Sequence, residues 1–126
     1  MLVNHFSHVW SIPATILRIA TPYGENHTSF INNIIFSLKE DIPIKLHEGG
    51  HHAADFIYIE DIVNATLKTI DRKFKGVFNI GSGIRTTILE VANIIVEILN
   101  VNRDLIEIEP LQGDGIIKGY PALDCT

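Results

Sequence analysis

A predicted strand-to-helix corner carries the carboxylates with the most potential for chemistry. Asp55 opens an almost wholly apolar run that extends to Ile59, and Glu60 and Asp61 follow directly. Such a short apolar run is typical of a strand buried on both faces, as in a parallel sheet. Apolar residues at helical spacing come next, and the positive end of the predicted helix stabilises both acids. Corners of this kind line ligand sites in α/β proteins.

Three histidines lie just ahead of this corner. His47, His51 and His52 accompany Glu48, and imidazole and carboxylate groups are common zinc ligands. His51 and His52 are adjacent in a polar loop, however, where neighbouring side chains rarely point the same way. No cysteine pair and no helix carrying His-x-x-x-His supports them. The pattern therefore favours a solvated loop over a metal site.

The segment Gly81-Ser82-Gly83 lies between a predicted strand and a predicted helix, which is where a phosphate loop would lie. A lone Gly-x-Gly is a weak signal, and the sixth position of this loop is Thr86 instead of glycine. An ordinary strand-to-helix turn is the favoured interpretation, with Arg85 within reach of an anion.

Strands and helices alternate along the chain, which predicts an α/β fold. Apolar residues at helical spacing predict helices over 2–10, 30–38, 60–71 and 88–99. Ser29 is the expected cap of the second helix, and Thr87 with Glu90 forms a capping box for the last. Runs rich in β-formers predict strands over 14–19, 44–47, 55–59, 77–80 and 105–109, with 77–80 buried. Thr21-Pro22-Tyr23-Gly24 predicts a turn.

Composition limits the class of protein. The 126 residues fit one domain, 1–126, and the 46% hydrophobic content predicts an apolar face meant for another domain. A net charge of −5 without a basic run argues against a nucleic-acid partner. No apolar run approaches the ~18 residues of a membrane span. The single cysteine, Cys125, excludes an internal disulfide and favours a reducing compartment, the cytoplasm.

Four segments taken together resemble a known family. They are Leu17 to Gly24, Gly50 to Asp61, Val77 to Gly83, and Gly113-Asp114 with Leu123-Asp124. In order and spacing they resemble the C-terminal half of the extended short-chain dehydrogenases, the NAD-dependent sugar-nucleotide epimerases and dehydratases. The resemblance implies a partial Rossmann-like NAD(P)-binding fold, made of its C-terminal strands and helices plus the small substrate-binding subdomain.

The resemblance also implies roles for five residues. Ala20 follows the strand that runs beside the nicotinamide in the family, so its backbone is expected to contact NAD. Thr21, Lys45, His47 and Asp55 are the expected substrate-binding residues. Thr21 takes the place of an asparagine that contacts substrate, Lys45 and His47 lie on the strand whose backbone meets the nucleobase, and Asp55 matches the family's Arg-Asp-Phe/Tyr. An ordinary turn at Thr21 and a solvated edge strand at Lys45 remain the alternatives.

Two arginines expected from the resemblance are replaced in this chain. Ala54 stands where an arginine precedes Asp55 in the family, and Leu111 and Gln112 stand where the second is expected. Arginine is the usual bidentate partner of a phosphate. Its loss opens the alternative that the substrate is a sugar or acid without a nucleotide.

The family's catalytic parts are not among these residues. Its glycine-rich NAD loop and its Tyr-x-x-x-Lys pair belong to the N-terminal half, and the three tyrosines here are followed at i+4 by His27, Ile62 and Asp124. We therefore expect a fragment truncated at both ends and inactive alone, with no catalytic residue and no metal site. Its expected partners are a sugar or sugar nucleotide and either an N-terminal half or a second copy of itself. The alternative is a non-catalytic binding or assembly module with the same fold.

Overall fold

The computed structural model describes residues 2–26, 28–111 and 122–125. The predicted loop at Gly113-Asp114 and the expected arginine position at Gln112 lie outside these ranges. The helices are α1 (Leu2–Val9), α2 (Phe30–Lys39), α3 (Ile59–Asp71) and α4 (Ile88–Leu99). The strands are β1 (Thr15–Ile19), β2 (Thr21–Tyr23), β3 (Ile44–Leu46), β4 (Ala53–Tyr58), β5 (Gly76–Ile80), β6 (Arg85–Thr87) and β7 (Ile106–Ile108). Short 3₁₀ turns occupy His47–Gly50 and Arg103–Leu105.

The described strands form three small sheets. β1 pairs with β5 in parallel, and β3 pairs with β7 in parallel. In the third sheet β4 lies in the centre, parallel to β2 and antiparallel to β6. Parallel strands connected through helices confirm the α/β prediction.

Helix starts follow the local signals in the sequence. The Ser29 side chain caps α2 by accepting a hydrogen bond from the Asn32 amide at 3.2 Å. At α4 the Glu90 amide donates to Thr87 Oγ1 at 3.1 Å, and the Thr87 amide donates to Glu90 Oε2 at 2.7 Å. Hydrogen bonds from the Thr87 backbone and side chain lower the pKa of Glu90. Both predicted caps are confirmed.

The buried core lies where α2 and α4 pack together above β3. Leu38 of α2 and Ala92 of α4 are fully buried, and Leu46 of β3 is nearly so. The other buried members of this cluster are Ile31, Ile34, Val91, Ile95 and Val96. These three elements and β7 therefore form the well-packed part of the described chain.

Two predicted turns are in fact strands. Residues 21–23 form β2 instead of a turn, and the turn falls at Glu25 and Asn26. Pro22 is tolerated because β2 is an edge strand with one partner, β4. Residues 85–87 likewise form β6 ahead of α4. In both cases pairing with β4, which is distant in sequence, overrides the local turn signal.

The strand at 77–80, which was predicted to be buried, has two exposed and two partly buried residues. Val77 is 39% and Phe78 37% exposed, because among the described strands β5 pairs only with β1. No residue of α1 is buried either. Further exposed apolar side chains lie on α1 (Leu2, Val3, Phe6, Val9), just after it (Trp10), and on α3 (Val63, Leu67, Ile70). The uncovered apolar surface expected from composition is therefore present.

We expect the chain to self-associate and to bind a hydrophobic dye through these side chains. The double change Phe6→Ser with Trp10→Ser should reduce dye fluorescence and the size of the species seen by light scattering. It should leave the melting temperature nearly unchanged, because α1 contributes nothing to the buried core.

Asn4→Ser, on the same helix and exposed, is the matched control and should change neither signal. A sharp, monomeric and dye-silent wild-type chain with a cooperative melt would contradict the expectation.

Candidate functional site

A cavity of about 340 Å³ opens between β2, β3, β4 and the start of α4. It brings together three of the four predicted substrate-binding residues, Thr21, Lys45 and His47. The remaining lining residues are Phe30, Leu46, Gly50, His52, Ala54, Phe56 and Ile88. Small-molecule sites are typically apolar clefts of about 300–1,000 Å³ with a few polar groups, which is the composition found here.

Alternation along β4 decides which residues face the cavity. Successive side chains of a strand point to opposite faces. Ala54 and Phe56 line the cavity, whereas Asp55 between them does not. The position at which the family's arginine was expected therefore lies in the wall of the cavity, and here it presents only a methyl group.

A bridged charge cluster, the Lys45–Glu109–His47 bridge, lies at the cavity. Lys45 Nζ lies 2.7 Å from Glu109 Oε1, and His47 Nδ1 lies 2.5 Å from Glu109 Oε2. Hydrogen bonds from Lys45 and His47 lower the pKa of Glu109, and the hydrogen bond to Glu109 raises the pKa of Lys45. Sequence reasoning missed Glu109, since its position depends on the pairing of β3 with β7.

Asp55 is buried, with 3% of its surface exposed, and its carboxylate faces the turn after β5. Its Oδ1 accepts hydrogen bonds from Ser82 N at 2.8 Å and Ser82 Oγ at 2.6 Å. Its Oδ2 accepts from Gly83 N at 3.1 Å and Leu123 N at 3.3 Å. Burial alone raises the pKa of Asp55, but these hydrogen bonds outweigh it and lower the pKa below its ordinary value. Direct contact of Asp55 with substrate stays a prediction; in the described structure it positions backbone.

The turn Gly81-Ser82-Gly83 is not arranged to hold an external phosphate. Two amide donors that a phosphate would need, those of Ser82 and Gly83, already point at the Asp55 carboxylate. A Cβ on Gly81 would lie 2.5 Å from Asp55 Oδ2, so glycine is required by this close approach. The turn instead binds the carboxylate of Asp55.

Ala20 joins β1 to β2, next to the cavity residue Thr21. Its amide donates to the Ile80 carbonyl at 2.9 Å, so this donor is used in the ladder between β1 and β5. The amides of the glycine turn after β5 donate to Asp55 and so are not available to a cofactor phosphate. The described residues therefore do not form a complete binding site for a dinucleotide. The contact of Ala20 with NAD stays a prediction.

Two other classes of site were searched for in the described ranges. No group of three or more His, Cys, Asp or Glu side chains there is placed to hold a metal ion. None of the helices in those ranges has both the length and the apolar character needed to cross a bilayer. His47 contacts Glu109, and His47 and His52 both line the cavity.

Comparison with known proteins identifies the scaffold. Residues 1–81 match the model of the NAD dependent epimerase/dehydratase family. The chain belongs to this family. Over 104 residues it is 32% identical to the dTDP-L-rhamnose 4-epimerase of Burkholderia thailandensis, a match that covers 73% of this chain and 29% of that protein. The resemblance found in the sequence is thereby confirmed.

Solved structures share the fold. The UDP-glucose 4-epimerase of Thermotoga maritima, solved with UDP-glucose, matches all of this chain with a TM-score of 0.82 at 24% identity. The dTDP-glucose 4,6-dehydratase of Bacillus anthracis, solved with NAD, matches 98% of it with a TM-score of 0.81 at 21% identity. This chain covers 41% and 40% of those two chains. The partial Rossmann-like fold is confirmed, and the chain spans well under half the length of its relatives.

We expect Asp55→Asn to destabilise the fold by about 1–3 kcal/mol, because a buried charged acceptor of several N–H groups is lost. Chemical denaturation monitored by circular dichroism measures this loss. Asp41→Asn, the same change at an exposed carboxylate, is the matched control and should be nearly neutral.

The same network fixes the direction of the pH dependence. Because the pKa of Asp55 is lower when folded than its unfolded value of about 3.9, its contribution is complete above that value and is lost as pH falls through the folded pKa. The stability difference between wild type and Asp55→Asn should therefore shrink in acid. A difference that is constant or grows as the pH falls would contradict the assignment.

Proposed function

We propose that this chain forms the substrate side of an NAD-dependent epimerase or dehydratase site, with a sugar or sugar nucleotide bound in the cavity. The observation that carries the proposal is the convergence of Thr21, Lys45 and His47 on one cavity. Apolar walls suit the face of a ring, and the few polar groups suit hydroxyls or an anion. Two segments distant in sequence, β2 and the stretch 45–47, supply these groups, as expected of a binding site.

The chemistry of the wall favours a ligand held without an arginine clamp. Ala54 lines the cavity where the family's arginine was expected, and none of the described cavity residues is an arginine. We therefore propose either a weakly held nucleotide sugar or a sugar or sugar acid without a nucleotide. The single cysteine, Cys125, supports a reducing compartment, for which we propose the cytoplasm.

Catalysis is proposed to need parts beyond these 126 residues. Hydride transfer requires NAD held against the sugar, and proton removal requires a base within about 3 Å of the hydroxyl. The sequence holds neither a Tyr-x-x-x-Lys pair nor a glycine-rich dinucleotide loop. In this proposal Ala20 and Thr21 adjoin the reacting centre, and the acid/base group and the cofactor cradle come from an N-terminal half.

A non-catalytic binding or assembly module is the second candidate. The exposed apolar side chains of α1 and β5 favour it, because such side chains mark association surfaces. Both candidates use the same cavity and differ in whether a cofactor-bearing half is ever present.

Restoring the missing charge tests the cavity. Ala54→Arg should raise the affinity for UDP-glucose by at least about tenfold, because a hydrogen bond to a charged group contributes about 1.5–3 kcal/mol. Isothermal calorimetry measures the change. Ala54→Met, similar in reach and without charge, is the matched control and should not gain affinity for the diphosphate.

Micromolar binding of UDP-glucose by wild type would contradict the weak binding argued from Ala54. Equal affinities of the arginine and methionine variants, both folded, would show that position 54 does not face the ligand's phosphates.

The isolated chain should show no turnover. We expect no NADH formation and no sugar product above a heat-killed control, on a panel of UDP- and dTDP-sugars with added NAD. Mixing with a separately expressed N-terminal half that carries the tyrosine, the lysine and the glycine loop should restore activity if the surfaces dock. Turnover by the isolated chain would contradict the fragment proposal and direct attention to the cavity histidines.

A further inference from the structure

The Lys45–Glu109–His47 bridge has the form of an occupied anion site. One carboxylate receives Lys45 Nζ on one oxygen and His47 Nδ1 on the other, at 2.7 and 2.5 Å. A ligand carboxylate or phosphate offers oxygens in the same arrangement. Lys45 and His47 both line the cavity, whereas Glu109 is not among its lining residues.

Glu109 is held by two backbone hydrogen bonds, and its side chain is less exposed than those of Lys45 and His47. The Glu109 amide donates to the Leu46 carbonyl at 3.0 Å, and its carbonyl accepts from the Gly49 amide at 2.7 Å. Its side chain is 34% exposed, against 55% for Lys45 and 75% for His47. The backbone of Glu109 is therefore fixed beside the cavity, and the more exposed side chains of Lys45 and His47 have room to turn toward a ligand.

Charge is concentrated on this side of the cavity. Ala54, Phe56 and Ile88 form an uncharged part of the wall, and Lys45 is the one lysine or arginine among the described lining residues. An anionic ligand group entering the cavity thus meets the ammonium group of Lys45 on β3, with His47 close by on the 3₁₀ turn that follows, and no positive group at position 54.

We propose that Lys45 and His47 bind an anionic group of the substrate, a phosphate or a carboxylate, and that Glu109 is the internal anion they exchange for it. This inference rests on the proposed use of the cavity. Ion pairs between exposed groups contribute little to stability, so a ligand anion can displace Glu109 at small cost. Glu109 is then a specificity-determining residue, because a ligand anion must bind Lys45 and His47 more strongly than Glu109 does in order to replace it.

The test replaces Glu109 by glutamine, which removes the negative charge and keeps the shape of the side chain. Uridine, UDP-glucose and UDP-glucuronate are titrated by calorimetry into wild type and Glu109→Gln. The variant should bind the recognised anionic probe about two- to fivefold more tightly, with no change for uridine. A gain for both UDP-sugars assigns the phosphates, and a gain for UDP-glucuronate alone assigns the carboxylate.

Two further variants isolate the exchange. Lys45→Met with His47→Asn should weaken the same probe, and adding Glu109→Gln to that pair should restore nothing, since coupled residues are not additive. Glu107→Gln is the matched control: it is exposed, lies two residues away and opposes Lys45 in the ladder between β3 and β7. An equal gain from Glu107→Gln would reduce the effect to net charge and overturn the exchange.

The remaining outcomes separate this inference from the proposed function. If the probes bind and Glu109→Gln changes only the melting temperature, Glu109 merely ties β7 to β3 and the inference is overturned. If no nucleotide binds, the proposed ligand class fails, and NMR of the His47 imidazole during titration with inorganic phosphate decides the inference alone. A phosphate-dependent shift that is larger in Glu109→Gln supports it, and no shift overturns it.

Discussion

The described structure depends on the buried carboxylate of Asp55, which links β4 to the turn after β5 and to Leu123 through hydrogen bonds. β1 continues through Ala20 into β2, and β5 continues through the 81–83 turn into β6, so two connections pass side by side from one sheet to the next. Asp55 lies beneath this crossing, with four N–H and O–H donors compensating its burial. Gly81 permits the approach, since a Cβ there would meet Asp55 Oδ2 at 2.5 Å and Ala20 Cβ at 3.1 Å.

The inward orientation of the Asp55 side chain determines which residues lie on the opposite face of β4. Strand alternation then directs Ala54 and Phe56 into the cavity, so a folding constraint sets the register of the binding wall. With alanine at position 54, the charged side chain among the described cavity residues is Lys45, which is well exposed, as is the neighbouring His47. Contacts from such exposed groups are screened by salt, unlike those of a buried arginine.

Local chemistry was predictable from the sequence, and distant pairing was not. The caps Ser29 and Thr87 could be predicted because a helix cap forms hydrogen bonds only with residues a few positions further along the chain. β2 and β6 were missed because each becomes a strand only by pairing with β4. Glu109 was missed for the same reason, since its meeting with Lys45 depends on the pairing of β3 and β7. The convergence of Thr21, Lys45 and His47 could be expected only through the family resemblance.

The pair at 54 and 55 shows why a conserved-looking motif is an uncertain guide to ligands. In an Arg-Asp sequence on a strand the two side chains point to opposite faces of the sheet, so they have different roles. Here the inward member remains, with its carboxylate wholly engaged by backbone and Ser82, while the cavity-facing member is a methyl group. The hydrogen bonds of Asp55 therefore explain its presence by the needs of the fold, and they say nothing about a phosphate. A scaffold of this kind fixes where a cavity lies, and the side chains in the cavity wall set which ligand it would take.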